Sequence, residues 1–316
     1  MGNELESATD IPAFQPITGR GVNLRVTPVD EVGIEARAKA LSTRSIKNAS
    51  KRAALDLAIS CIDLTTLEGM DSPGKVRALC NKAIAPDPSN PAVPSTAAVC
   101  VYPSMVPEAA ANVAGSGVAV ASVAGAFPSG LSSLEVRMAD IRAAVAAGAD
   151  EIDIVIERGQ FFAGRYGQVF DGIAAAKEAC GSAHLKVIIE TGELGTYDQV
   201  RRASMLSMAA GADFIKTSTG KVSKNSTLPI ALCMAEAIRD YREQTGEIVG
   251  FKAAGGIRSA KQAWHYLVMI GETLGPEWLD NQRFRIGASS LLNDCLLQIR
   301  KLDTGRYSGP DYVSVD

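Results

Sequence analysis

The sequence predicts an α/β protein, a closed (β/α)8 barrel of the TIM type with an N-terminal helical extension. Three observations predict it. Short runs rich in β-branched residues alternate with alanine-rich amphipathic stretches, the alternation that builds parallel sheets. Eight such runs occur. They recur roughly every 32 residues, near the ~30 of one β-α-β unit, and eight units close a barrel. A doubly wound open sheet is the rival, and its dinucleotide-binding form carries G-x-G-x-x-G after the first strand. Here the first strand is followed by Thr65-Thr66-Leu67-Glu68-Gly69, which is not that fingerprint.

Along the chain, residues 1 to about 30 are mixed in composition and read as an extended arm. From Val32 to Ile59 alanine, leucine and charges recur at helical spacing. The strand runs are Ala58–Leu64, Thr96–Tyr102, Val118–Val123, Glu151–Ile156, Leu185–Glu190, Asp213–Thr217, Ile248–Ala253 and Phe284–Ala288. Helical patterns lie between them, such as Leu134–Ala147 and Tyr197–Ala210. Both lead into Ala-Gly-Ala-Asp, where glycine ends a helix just before a strand. Gly69 to Lys75 has the spacing of a phosphate-binding P-loop. Val76, however, stands where Ser or Thr is required, and Pro73 removes a backbone donor, so the stretch reads as a helix start. These elements divide the chain into an arm and helix (1–54), a catalytic barrel (55–302) and a tail (303–316).

The 316 residues are 47% hydrophobic and 21% charged with net charge −3, an ordinary globular balance. Acids and bases are interspersed, which argues against a nucleic-acid or membrane surface, and no apolar run is long enough to span a bilayer. The six cysteines form no C-x-x-C pair, and the first ten residues lack a secretory pattern; both favour reduced thiols in a cytoplasmic protein. The sequence leaves a homo-oligomer open.

Four triplets carry the chemistry: Ile62-Asp63-Leu64, Ile152-Asp153-Ile154, Ile215-Lys216-Thr217 and Phe251-Lys252-Ala253. Strand side chains alternate between faces, so neighbours that pack outward leave each charge pointing into the barrel. All four lie near the carboxyl ends of their strands, where barrel enzymes keep their active sites. Lys216 and Lys252 fall on adjacent strands, ~5 Å apart. Two ammonium groups that close repel, and burial adds to the effect, so one proton is lost near neutral pH. A neutral lysine is a nucleophile toward carbonyls. A purely structural salt-bridge network would use the same residues but would be as much at home at the other mouth of the barrel. The two histidines, His184 and His265, sit away from the strand ends, so a site built from several histidines is not available and a Schiff base is favoured over a metal.

Polar glycine-rich turns follow the last three strands: Gly220-Lys221, Gly255-Gly256-Ile257-Arg258 and Gly287-Ala288-Ser289-Ser290. Glycines admit backbone N–H groups close to an anion, and barrel phosphate sites form after strands seven and eight. Gly220, Lys221, Gly255, Gly256, Arg258, Gly287, Ser289 and Ser290 are therefore the candidate phosphate-binding residues.

The stretches Ile62-Asp63-Leu64-Thr65-Thr66-Leu67, Ala98-Val99-Cys100-Val101-Tyr102-Pro103, Glu151 to Val155, Phe214 to Lys221 and Gly250-Phe251-Lys252 through Gly256 resemble the deoxyribose-phosphate aldolase family, with similarity from about Ala54 to Arg306. The longer arm and Gly192 to Thr196 resemble its eukaryotic-type members. The resemblance implies a metal-free Schiff-base aldolase without a cofactor that reversibly splits 2-deoxy-D-ribose 5-phosphate into D-glyceraldehyde 3-phosphate and acetaldehyde. Lys216 would form the Schiff base, with Lys252 and Asp153 as acid–base partners. Asp63, Thr65, Cys100 and Thr219 would meet the substrate, Asp63 orienting Lys252 or a substrate hydroxyl. Ala253 stands where the family usually has proline, which implies a looser turn there, and the tail tyrosines Tyr307 and Tyr312 are assigned no role. An aldolase for another phosphosugar, or a non-catalytic barrel that binds one, would share these features.

Overall fold

The computed structural model describes residues 16–19, 22–46, 48–309 and 312–313. Two short strands, β1 (Ile17–Gly19) and β2 (Val22–Leu24), pair antiparallel with Ile17 opposite Leu24. The arm is thus anchored from Ile17 onward: Leu24 and Val26 are buried, and the Val29 N–H donates to Asp198 at 2.7 Å. Residues 1–15 of the expected arm lie outside the described residues.

The helical stretch expected from Val32 to Ile59 is two helices, α1 (Glu31–Ser42) and α2 (Asn48–Ser60). Asp30 caps α1 by accepting from the Gly33 N–H at 2.9 Å. The break comes where the Arg44 carbonyl accepts from the Trp264 indole at 3.1 Å and the Arg44 guanidinium pairs with Glu272. The expected domain boundary at residue 54 falls inside α2.

The barrel strands are β3 (Ile62–Thr65), β4 (Ala98–Val101), β5 (Ala119–Val123), β6 (Glu151–Val155), β7 (His184–Ile188), β8 (Phe214–Lys216), β9 (Gly250–Ala254) and β10 (Phe284–Ala288). All pair parallel in sequence order, and β10 returns to β3 to close the barrel. The first strand starts later than expected because Ala58–Ser60 stay helical at the end of α2. Around the strands run α3 (Pro73–Ile84), α4 (Val106–Val113), α5 (Leu134–Ala146), α6 (Arg158–Phe162), α7 (Tyr166–Cys180), α8 (Thr191–Leu194), α9 (Tyr197–Ala209), α10 (Leu228–Thr245), α11 (Ala260–Leu274) and α12 (Leu291–Thr304). Local chemistry sets their ends. The P-loop-like stretch is indeed a helix start, with Ser72 accepting from the Lys75 N–H and Pro73 in the first turn, where a missing N–H costs nothing. Ser259 and Gln262 form a capping box at α11, and Gly246 ends α10 in a left-handed conformation.

Alternation divides the strands into two faces. Ile62, Leu64, Ile152, Ile154, Ile215, Phe251 and Ala253 belong to the continuous core between sheet and helices. Each large apolar side chain buried there contributes about 1.5–3 kcal/mol, so this outer layer holds the barrel together. The interior is divided in turn. One side is small and apolar, built from Ala98 and Cys100 of β4 and Ala121 and Val123 of β5, with Leu67 packed on them. The other side is ionic: Asp63, Glu151, Asp153, Lys186, Lys216, Lys252 and Arg285 are all buried.

Candidate active site

Pairing places Lys216 directly beside Lys252 on the neighbouring strand. Asp153 lies between them, its Oδ2 accepting from Lys216 Nζ at 2.7 Å and from Lys252 Nζ at 2.8 Å. Lys252 Nζ is also 2.5 Å from Asp63 Oδ2. The structure therefore brings together all four charges singled out in the sequence. Thr217 locks the two lysine strands in register, its hydroxyl accepting from the Ala254 N–H at 2.9 Å and donating to the Ala254 carbonyl at 3.0 Å. The looser turn expected at Ala253 is absent, because β9 runs on through Ala254 and Ala253 is buried inside the strand.

Three further charges complete a ring that the sequence reading missed. Arg285 donates to Asp63 Oδ1 at 2.7 Å and to Glu151 at 2.8 and 3.2 Å. Glu151 accepts from Lys186, whose Nζ lies 3.7 Å from Asp153 Oδ1 and closes the ring. A signal existed. Leu185-Lys186-Val187 and Phe284-Arg285-Ile286 repeat the pattern of a charge between outward apolar residues, and Glu151 shares a strand face with Asp153.

Burial alone would raise the Asp153 carboxyl, but Lys216, Lys252 and Lys186 outweigh it and hold the group far below the usual carboxylate range. Asp63 behaves alike: burial raises it, and Lys252 and Arg285 bring it well down. Burial pulls Lys252 toward losing its proton, yet Asp153 and Asp63 more than offset that and raise it above an ordinary lysine. Lys252 is thus a firmly held ammonium between two carboxylates. The Cys100 thiol, fully buried against this group, is pushed up by burial and stays neutral.

Above the ring opens a cavity of about 480 Å³ at the carboxyl ends of the strands. Of the ring's members only Lys216 reaches it; Asp153, Lys252 and Asp63 lie beneath. All eight candidate phosphate-binding residues line it, as do Thr65 and Thr219. Cys100 sits instead in the apolar half of the barrel interior. Gly255 matters here on two counts: it lacks the Cβ that would meet Asn225 Oδ1 at 2.2 Å, and it adopts a left-handed conformation (φ +83°). Lys221 is engaged at the rim, donating to the Leu67 carbonyl at 2.6 Å and to Glu68 at 3.0 Å. Thr219 donates through its hydroxyl to Glu190 at 2.6 Å, and its N–H points to the same carboxylate. Glu190, fully buried and left-handed (φ 54°), pins this turn from the end of β7 and had no signature in the sequence. His184 is an exposed first residue of β7, a strand end after all but at the amino-terminal mouth, while His265 lies on α11. Among the described residues no group of three or more His, Cys, Asp or Glu is arranged to hold a metal ion. Tyr307 and Tyr312 lie exposed beside Lys301 and Arg300 of α12, away from the cavity.

A family model described as DeoC/LacD family aldolase matches residues 57–296, the stretch that carries the whole ring. The chain belongs to the DeoC/LacD aldolase family. This DeoC/LacD aldolase is 47% identical over 276 residues to deoxyribose-phosphate aldolase of Homo sapiens, covering 84% of this chain and 86% of that one. It is 46% identical over 292 residues to deoxyribose-phosphate aldolase of Bos taurus, with 89% and 92% covered. Among solved structures it resembles an aldolase called QR15, at 28% identity and TM-score 0.61, covering 77% of this chain and 96% of that one. The tetrameric deoxyribose phosphate aldolase from Aeropyrum pernix shares the fold at 24% identity and TM-score 0.62, with 85% and 99% covered.

Proposed function

We propose that this aldolase reversibly cleaves 2-deoxy-D-ribose 5-phosphate to D-glyceraldehyde 3-phosphate and acetaldehyde, with Lys216 as its Schiff-base lysine. One observation carries the reading: Lys216 is the single member of a buried charge ring that opens into a cavity walled by glycine-rich turns. Its amine adds to the open-chain aldehyde carbon, and loss of water leaves an iminium that acts as an electron sink. Removal of the C3 hydroxyl proton then breaks the C2–C3 bond, and the electron pair moves onto C2 as an enamine. Asp153, held as a carboxylate, accepts that proton through a water, and Lys252, held as an ammonium, is the acid of the pair. Each such step typically contributes ~10²–10⁴-fold. Protonation of the enamine at C2 and hydrolysis of the imine release acetaldehyde and regenerate Lys216.

The substrate phosphate would lie against the turns after β9 and β10, where Arg258 is exposed and the Ser289–Ser290 turn opens α12. Negative charge is favoured at such a helix start. A cytosolic setting agrees with the six cysteines, all free and buried. Borohydride reduction with acetaldehyde should attach two carbons to Lys216, read by peptide mass. Trapping only with dihydroxyacetone phosphate would indicate another aldolase, and no trapping with either a barrel that merely binds a phosphosugar.

A further inference from the structure

Lys186, Glu151 and Arg285 take no part in the steps above and do not line the catalytic cavity. Glu151 and Arg285 instead edge a second cavity of about 340 Å³ toward the opposite mouth of the barrel. Buried ion pairs are often no more stabilising than apolar side chains of the same volume, so stability alone gives a weak reason for three charges here.

The charges in the ring do not balance. It holds four cations, Lys186, Lys216, Lys252 and Arg285, against three carboxylates, Asp63, Glu151 and Asp153. Burial disfavours an unmatched positive charge, which favours the loss of one proton from the ring. Arginine does not give one up. Lys252 touches Asp63 and Asp153, and Lys186 has Glu151 with Asp153 close by. Lys216 has Asp153 alone, and it is the lysine that meets the cavity. Beyond the ring, Lys75, Lys82 and Arg258 line the same cavity as Lys216, Lys75 being paired with Asp71. The Cys100 thiol on β4 is neutral, Glu190 at the end of β7 is engaged by Thr219 with Arg158 at 3.7 Å, and Lys221 is paired with Glu68.

We propose that Lys186, Glu151 and Arg285 are positioning residues of the aldol reaction: through Asp153 and Asp63 they make Lys216 the lysine that loses the unmatched proton. The inference rests on Lys216 being the Schiff-base residue. Arg285 occupies Asp63 and Glu151, which limits what these carboxylates can offer the lysines. Lys186, beside both Glu151 and Asp153, supplies the cation without which the remaining charges would balance with Lys216 still protonated.

The test is the pH dependence of borohydride trapping at Lys216 with acetaldehyde, read by peptide mass on the full chain. In Lys186→Met three cations face three carboxylates, Lys216 keeps its proton longer, and the trapping midpoint should rise by on the order of one pH unit, the scale of a like charge a few ångströms away. Lys186→Arg keeps the charge and should keep the midpoint. The double variant Lys186→Met/Glu151→Gln removes one charge of each sign, restores the original imbalance and should return the midpoint to that of the unmutated protein. It also removes both partners of a buried pair together, so it remains informative if the single variant does not fold. A midpoint unmoved or lowered in Lys186→Met, or raised in the double variant, overturns the proposal. Absence of a trapped imine in the unmutated protein is a different result, which refutes the aldolase reading itself and this inference with it.

Discussion

Replacing Lys252 by methionine removes one charge and keeps most of the volume. Lys216 and Lys252 donate to the same oxygen of Asp153 at 2.7 and 2.8 Å, so the two nitrogens lie within about 5.5 Å of each other. At an effective dielectric constant near 20, two positive charges at that distance repel by about 3 kcal/mol. The sign follows from the geometry. With Lys252 gone, the Asp153 oxygen it shared serves Lys216 alone and one opposing ammonium is removed, leaving Lys186 3.7 Å from the other Asp153 oxygen. The pH midpoint for trapping acetaldehyde on Lys216 should therefore rise in Lys252→Met. Slow imine protonation steps will lower the rate as well, so the midpoint, not the maximum, is the quantity to read. The fold should survive, because Asp63 keeps Arg285 at 2.7 Å and Asp153 keeps Lys216. The loss of stability should thus fall below the ~3–5 kcal/mol of a truly orphaned buried charge. A protein that loses more than that while its trapping midpoint stays put would refute the reasoning and leave the ring a structural network.

Other outcomes follow from the same structure. Asp63 and Asp153 titrate lower in the folded chain than in the unfolded one, so their contribution is present above the unfolded value of ~3.9 and fades as pH falls below it. Urea midpoints should hold from pH 8 to 5 and drop below about pH 4, and Asp63→Asn should flatten that drop; equal slopes in the two proteins would contradict the assignment. Arg258→Ala and Ser289→Ala should weaken deoxyribose 5-phosphate by about tenfold or more in KM and leave free deoxyribose nearly unaffected, as expected for the ~1.5–3 kcal/mol of a hydrogen bond to a charged group. Equal losses for both sugars would place the anion elsewhere. Burial pushes Cys61, Cys180 and Cys233 up to about 12, so a thiol reagent at pH 8 should find the native protein inert and the unfolded protein reactive. Fast native labelling at any of the three would argue against the core packing described.

Lys216 was legible because period-two alternation turns a charge between apolar residues into a statement about direction. Asp63, Asp153 and Lys252 were legible on the same ground. Lys186 and Arg285 carry the identical local mark, and register sets them directly beside Asp153 and Lys252, so the same alternation pointed to them as well. Glu190 had no mark, since its left-handed backbone and its grip on Thr219 exist only once β7 and β8 lie side by side. The arm shows the same limit. Leu24 and Val26 look unremarkable in sequence and are buried through contacts made far along the chain, among them Arg25 with Gln244 and Val29 with Asp198. Helix breaks were harder than helix existence, as Arg44 shows: Trp264 and Glu272, more than two hundred residues away, fix where the stretch divides.

The bond between Arg285 and Asp63 spans 222 residues and joins the last strand to the first. Until β10 docks, Asp63 and Glu151 lack their guanidinium, and a nearly complete barrel would hold carboxylates buried with too few partners. Such a partial structure is penalised at its centre as well as at its open edge, so intermediates with seven strands in place should be sparse and the final docking cooperative. The chain bears the loop-closure entropy of its longest-range pairing before the interior becomes favourable, which makes folding slow for its helix content. Assembly of the fold and assembly of the reactive lysine are, on this account, one event.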